Sequence, residues 1–259
     1  MSSQPAGLSV THLSASLGGR EVLHEVALQL PRGQWSCVIG PNGAGKSTLL
    51  RAIARLIPCT GHVRWLGQDP DGLSRRDRAR LLSWLGQSEG ADADLRVADV
   101  VMLGRLPHLD WLASPSPHDL TVVEAALQAT QCGPYRDRCL SDLSGGERQR
   151  VLLARLMAGQ SPVMLMDEPL SHLDPPHQVD WLEQVQCLRS QGTTVLTVLH
   201  DIGLALQADH VVVMQQGRVV AQGDRDSRDL HRTIETVFDH RIRICPVEDQ
   251  WVVLPRLAP

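Results

Sequence analysis

Residues 40–48 read Gly-Pro-Asn-Gly-Ala-Gly-Lys-Ser-Thr, with three glycines in the first six positions. So bare a backbone cannot hold an ordinary helix or strand. It is preceded by a short apolar run, residues 35–40, and followed by helical periodicity over 46–57 that stops at Pro58. A strand, a bare turn and a helix, in that order, restrict the fold more than any other feature of the chain. The pattern GxxxxGK[ST] is met by Gly40, Gly45, Lys46 and Ser47. Glycines let successive N–H groups point inward around phosphate oxygens. The helix that follows offers its first N–H groups and the positive end of its dipole to the same anion. Lys46 adds a point charge at the outer phosphates, and the Ser47 hydroxyl can ligate Mg²⁺. The expected phosphate-binding set is Gly40, Pro41, Asn42, Gly43, Ala44, Gly45, Lys46, Ser47 and Thr48.

Such a loop does not say which NTPase carries it, and a second motif is needed. Residues 163–169, Val-Met-Leu-Met-Asp-Glu-Pro, supply it. The apolar residues bury a strand, and Asp167 emerges at its carboxyl end, where α/β sheets place ligands. Asp167 suits holding Mg²⁺ through water. Glu168 suits orienting and deprotonating an attacking water.

The remaining pattern predicts an α/β chain. Residues 7–17 and 21–30 alternate as strands around a turn at 18–20, giving an N-terminal antiparallel hairpin or meander. A strand is expected over 63–67 and a basic helix over 74–85. Residues 88–159 read as helices with no strand among them. Buried strands over 163–167 and 193–200 alternate with helices over 180–192 and 201–208. Hairpins close the chain at 210–224, with its turn at Gln216-Gly217, and at 241–255. The expected fold is a P-loop NTPase core, residues 1–87 and 160–259, with an N-terminal antiparallel β subdomain and an inserted helical subdomain, 88–159.

Composition sets limits on function. With 42% hydrophobic and 21% charged residues among 259, the chain can bury a sizeable core. A formal net charge of −4 points to neither nucleic acid nor an anionic membrane as partner. No window reaches about 18 uncharged apolar residues, and the first ten lack the order of a signal peptide. The six cysteines (Cys37, Cys59, Cys132, Cys139, Cys187 and Cys245) are scattered and read as reduced thiols. His108, His118, His172 and His177 are read as surface or structural residues rather than ligands.

Residues 143–150, Leu-Ser-Gly-Gly-Glu-Arg-Gln-Arg, decide the family. Ser144 and Glu147 make a capping box before a helix, and Gly145 and Gly146 expose N–H groups at its start, a second anion-binding device. On these residues the chain resembles the nucleotide-binding subunits of ATP-binding cassette (ABC) transporters. Residues 40–48 resemble the Walker A loop, 143–149 the signature, and 163–168 the Walker B strand with its catalytic glutamate. Gln87 matches the Q-loop, residues 171–174 the D-loop, and His200 the switch histidine. The motifs follow the family's order over about residues 7–225.

The resemblance implies a head-to-tail homodimer. Ser144, Gly145 and Gly146 of one chain face the P-loop of the other, and two ATP molecules lie between. It implies that Glu168 polarises water, His200 holds the γ-phosphate and that water, Gln87 touches Mg²⁺ and senses the nucleotide, and Asp174 lies at the ATP. Mg²⁺ falls to Ser47, Gln87 and Asp167. Residues 97–112 and 168–178 are similar to importers for iron–siderophore, haem and cobalamin chelates. That subclass implies integral-membrane permease partners, a substrate-binding protein acting through them, and a place on the cytoplasmic face of the membrane. An exporter subunit or a stand-alone soluble ABC ATPase is the alternative. Residues 97–112 are expected to dock on the permease, so that charge reversal at Arg105 weakens transport more than ATPase activity. The pattern departs in one place: where many members stack an aromatic ring on adenine, this chain has Leu17.

Overall fold

The computed structural model describes residues 6–87, 94–110 and 113–256. The expected start of the helical subdomain at Ser88 and the end of the docking stretch, Trp111 and Leu112, lie outside the described residues.

The chain opens with β1 (Ala6–Leu17), β2 (Arg20–Pro31), β3 (Trp35–Ile39), α1 (Lys46–Ile53) and β4 (Cys59–Trp65). Next come α2 (Arg75–Leu81), β5 (Leu82–Leu85), α3 (Val97–Met102), α4 (Pro117–Ala129), α5 (Gly145–Ala158), β6 (Val163–Asp167) and α6 (Pro175–Ser190). The last part holds β7 (Thr194–Val198), α7 (Ile202–Ala205), β8 (His210–Gln215), β9 (Arg218–Asp224), α8 (Arg228–Val237), β10 (Ile242–Val247) and β11 (Gln250–Pro255). These elements form two compact units: Met1–Gly72 with Thr194–Pro259, and Leu73–Thr193.

In the first unit, β1 lies between β2 and β4 and is antiparallel to both. Its buried side chains include Val10 and Leu13, three residues apart where a plain strand would bury every second one. A register shift between them, with His12 at φ 52°, restores the inward face, as a β-bulge does. The second sheet has the order β7-β3-β8-β9. β3 is parallel to β7 and β8, and all five of its residues are buried. Trp35 anchors it: its Nε1 donates to Thr197 Oγ1 at 3.0 Å and its backbone N–H to Asp209 Oδ2 at 3.0 Å. Burial pushes the Cys37 thiol of this strand up to about 12, so it stays protonated. Helix α1 is shorter than the periodicity predicts. It stops at Ile53, where Arg55 turns left-handed (φ 56°) and the Leu56 N–H closes back on Arg51 O. Helix α8 is an element not expected above, although its buried Leu230, Ile234 and Val237 keep helical spacing. The final hairpin packs beside it, with Trp251 edge-on to His231 at 4.2 Å and Trp251 Nε1 donating to Asp226 Oδ1 at 2.7 Å.

In the second unit, β5 and β6 pair in parallel. The basic helix expected over 74–85 ends at Leu81, and residues 82–85 are strand β5. Pairing with β6, from Leu82 opposite Val163 to Leu85 opposite Met166, overrides the local helical pattern.

Arg105, expected at the docking surface, is an internal residue. Its side chain is 3% exposed, inside the unit rather than on a docking surface. Its Nε donates to Asp119 Oδ1 at 2.9 Å, and its Nη1 to Ala158 O (2.9 Å) and Gln160 Oε1 (3.0 Å). The neighbouring residues act alike. His108 Nε2 meets Gly159 O at 2.9 Å, and Pro107 O accepts from Arg76 Nε and Arg80 Nε of α2 at 2.9 and 2.8 Å. The Gly-Arg-Leu-Pro-His stretch is thus an internal clamp between α2 and α5, which leaves Leu103 and Leu106 exposed. No helix among the described residues is long and apolar enough to cross a membrane.

Candidate functional site

The first unit builds the phosphate loop. β3 delivers the chain at Ile39, and α1 carries it away from Lys46. Between them Gly40, Gly43 and Gly45 hold φ of 152°, 78° and 95°, and a Cβ on Gly40 would stand 2.2 Å from Met214 O. Those conformations and that approach demand glycine. Lys46, 6% exposed, folds back over the loop, its Nζ donating to Gly40 O at 2.8 Å and Pro41 O at 3.1 Å. No side chain caps α1, and its first turn carries no acid. Helices α2, α4, α5 and α8 are each capped by a serine. An uncapped helix start, a bare loop and a held lysine fit a polyphosphate.

β7 is the parallel neighbour of β3, with Val38 opposite Val198. The loop after Ile39 and His200 after Val198 therefore leave the same end of adjacent strands. His200 is exposed, and Asp201 follows it as the cap of α7, accepting from the Leu204 N–H at 3.0 Å.

The second unit holds the acidic residues. Asp167 closes β6 and is fully buried. Glu168 follows in a left-handed conformation, φ 54°. This region is costly for a residue with a Cβ and recurs at functional sites. Gln87 leaves the same end of β5, since Leu85 pairs with Met166. Gln87 Nε2 donates to Glu168 Oε2 at 2.7 Å. The geometry brings these two site residues together, and it fixes one carboxylate oxygen of the expected base.

The signature sits at the start of α5. The Ser144 hydroxyl accepts from the Glu147 N–H at 3.3 Å, and Glu147 Oε2 accepts from the Ser144 N–H at 2.8 Å. Those two Ser144 groups, the N–H first, hold the Glu147 carboxyl below its usual range. Gly145 and Gly146 form the first turn. Asp174, exposed, precedes α6 as its N-cap residue, with His177 Nε2 at 3.8 Å from its Oδ1.

One contributor is not foreseen in the sequence. Gln149 is buried, and its Nε2 donates to Pro169 O at 2.9 Å, tying the signature helix to the segment just after Glu168. Its signal was available. Gln149 keeps helical spacing with the buried Leu152, Leu153 and Leu156, a polar residue on an apolar stripe.

Comparison with known proteins identifies the family. The family model described as ABC transporter matches residues 23–171. The hemin import ATP-binding protein HmuV of Pseudomonas entomophila is 44% identical over 218 residues, 82% of this chain and 84% of its own length. The ferric enterobactin transport ATP-binding protein FepC of Escherichia coli is 36% identical over 267 aligned residues, covering 100% of this chain and 98% of its own. Among solved structures, a metal-chelate type ABC transporter captured inward-facing superposes with a TM-score of 0.80 at 23% identity, covering 98% of each chain. That likeness speaks for the fold, and the curated relatives and the family model speak for descent. This chain belongs to the ABC transporter family, as one of its ATP-binding, ATP-hydrolysing cassettes.

Proposed function

We propose that the chain is the ATPase subunit of a membrane importer that takes up a metal-chelate type substrate: haem, a ferric siderophore or cobalamin. The observation that carries the hydrolytic part is the Gln87–Glu168 hydrogen bond of 2.7 Å, which orients a carboxylate directly after the buried Asp167. The importer part is supported by the relatives, whose names specify hemin, enterobactin and cobalamin transport.

In this reading the backbone N–H groups of residues 42–48 and the Lys46 side chain hold the ATP phosphates. Glu168 orients the attacking water and accepts its proton, and His200 steadies that water and the γ-phosphate. Ser47, Gln87 and Asp167 would hold Mg²⁺, which would supply charge neutralisation at the phosphates. Ser144, Gly145, Gly146 and Asp174 serve the ATP of a second copy in a head-to-tail homodimer. The nucleotide core is assigned to residues 1–87 and 160–259 and the signature lobe to 88–159. Integral-membrane permease subunits bind the cassette at the cytoplasmic face of the membrane, and a substrate-binding protein acts through them. Nucleic acid is not a partner. With Arg105 internal, docking falls to the exposed Leu103 and Leu106. Co-expression with permease subunits, and uptake of each chelate in a deletion strain, test the reading. An active ATPase that copurifies with no membrane subunit and leaves all three uptakes intact would overturn it.

Leu17 bears on nucleotide choice. It ends β1 at the Gly18-Gly19 turn and is 39% exposed, open to a ligand. An aromatic ring there would contribute roughly 1–3 kcal/mol by stacking on the base. With leucine, phosphate contacts that are blind to the base carry the affinity, so GTP is expected to bind nearly as well as ATP. Leu17→Tyr is expected to tighten ATP binding severalfold. Titration of both nucleotides against both proteins checks this. Strong ATP preference in the wild type, unchanged in the variant, removes Leu17 from the site.

A further inference from the structure

The turn closing the β8–β9 hairpin reads in the sequence as a hairpin turn and nothing more. In the structure it is built into the phosphate loop. The Gly217 N–H donates to Ala44 O at 3.0 Å, and Gly217 O accepts from the His24 N–H of β2 at 3.0 Å. Gly217 itself is left-handed, φ 74°, and a Cβ there would stand 2.1 Å from Val22 O and 2.8 Å from His24 Cδ2. A second tight hairpin of this unit, between β1 and β2, supplies the contrast. Gly18 and Gly19 are also left-handed, yet a Cβ on either would meet nothing within 4 Å. A hairpin turn needs only the backbone conformation, so the close approach at Gly217 is an added requirement.

The chemistry of the contact follows from peptide planarity. The Ala44 carbonyl and the Gly45 N–H belong to one trans peptide and point in opposite directions. A donor that holds Ala44 O on one side therefore aims the Gly45 N–H to the other. Gly217 is that donor, and β2 holds Gly217 in turn through His24. The same hairpin meets the loop a second time, where Met214 O packs against the bare Cα of Gly40.

We propose that Gly217 is a positioning residue for nucleotide binding: through Ala44 it sets the direction of the N–H groups that receive phosphate. This rests on the reading that residues 40–48 hold the phosphates of ATP.

The test uses the full chain and direct ATP titration. Gly217→Ala is expected to raise the ATP Kd tenfold or more. Gly192→Ala is the control, because Gly192 is also left-handed (φ 84°) with open space around it. It carries the same backbone strain without the approach, and its Kd should stay within twofold of wild type. Equal losses in both variants, or none in Gly217→Ala, overturn the proposal. A measurement without substitutions runs beside it. ATP should slow hydrogen exchange at the Gly217 and His24 amides at least tenfold more than at Ala221, further along β9. Equal protection at all three overturns the proposal as well. Wild-type protein that binds no ATP at all would instead remove the loop assignment on which the inference rests.

Discussion

Glu168→Gln leaves ATP bound and nearly stops its turnover. The amide keeps the size and shape of the carboxylate but cannot accept a proton from the attacking water. A positioned general base contributes about 10²–10⁴-fold, so kcat should fall by about that factor. The local geometry should survive, because a glutamine oxygen can still accept from Gln87 Nε2 where Glu168 Oε2 does now, at 2.7 Å. The loss should therefore appear in kcat, with ATP affinity kept. Bound, unhydrolysed ATP should also hold two copies together, so sizing with and without ATP should show a nucleotide-dependent dimer. Turnover at the wild-type rate would take the catalytic role away from Glu168.

Arg105→Glu should unfold the Leu73–Thr193 unit rather than loosen a membrane partner. Arg105 and Asp119 are 3% and 8% exposed and share a 2.9 Å hydrogen bond. Breaking a buried pair from one side costs about 3–5 kcal/mol, because the other charge is left without compensation. Here a second carboxylate would face the first. Two further bonds, to Ala158 O and Gln160 Oε1, would go with it. A typical domain has only about 5–15 kcal/mol in hand, so the variant should melt far below wild type. The pH dependence carries a sign. The Ser116 hydroxyl, then Arg105, then the Ser116 N–H hold the Asp119 carboxyl well below the usual carboxylate range. A depressed folded value gives stability that is fully present above about pH 4, the unfolded value, and lost as pH falls through the folded one. Asp119→Asn should flatten that acid limb in melts from pH 7 to pH 2. An Arg105→Glu protein that melts like wild type while transport alone fails would return Arg105 to the docking surface.

The chemistry was largely legible because it rides on exceptions to ordinary sequence. Bare glycines between Ile39 and Lys46, an acid pair at a strand end, and a capping box at Ser144 each break the local rules of a core. Motifs of that kind survive without coordinates. What was hidden lies in tertiary pairing. Residues 82–85 carry a helix-like pattern and become a strand only because Val163–Asp167 lies beside them. Arg105 looked like a surface cation because arginine usually is one, and its partner Asp119 stands 14 positions away on another helix. Gly217 looked like any hairpin glycine, since nothing local marks its contact with Ala44.

The division of the chain has a consequence for its synthesis. The Leu73–Thr193 unit is continuous, so its contacts can form while the ribosome is still working. The other unit is made from both ends of the chain. Trp35 reaches its partners Thr197 and Asp209 across 162 and 174 residues, and β3 has neither sheet neighbour until β7 and β8 have been made. The strand that presents the phosphate loop thus waits, unpaired and apolar, through most of translation. Such long-range closure is slow and exposes sticky backbone. A nascent cassette should therefore acquire nucleotide binding late and abruptly, as β8 clears the exit tunnel, and prematurely terminated chains should be clients for chaperones rather than weak ATPases.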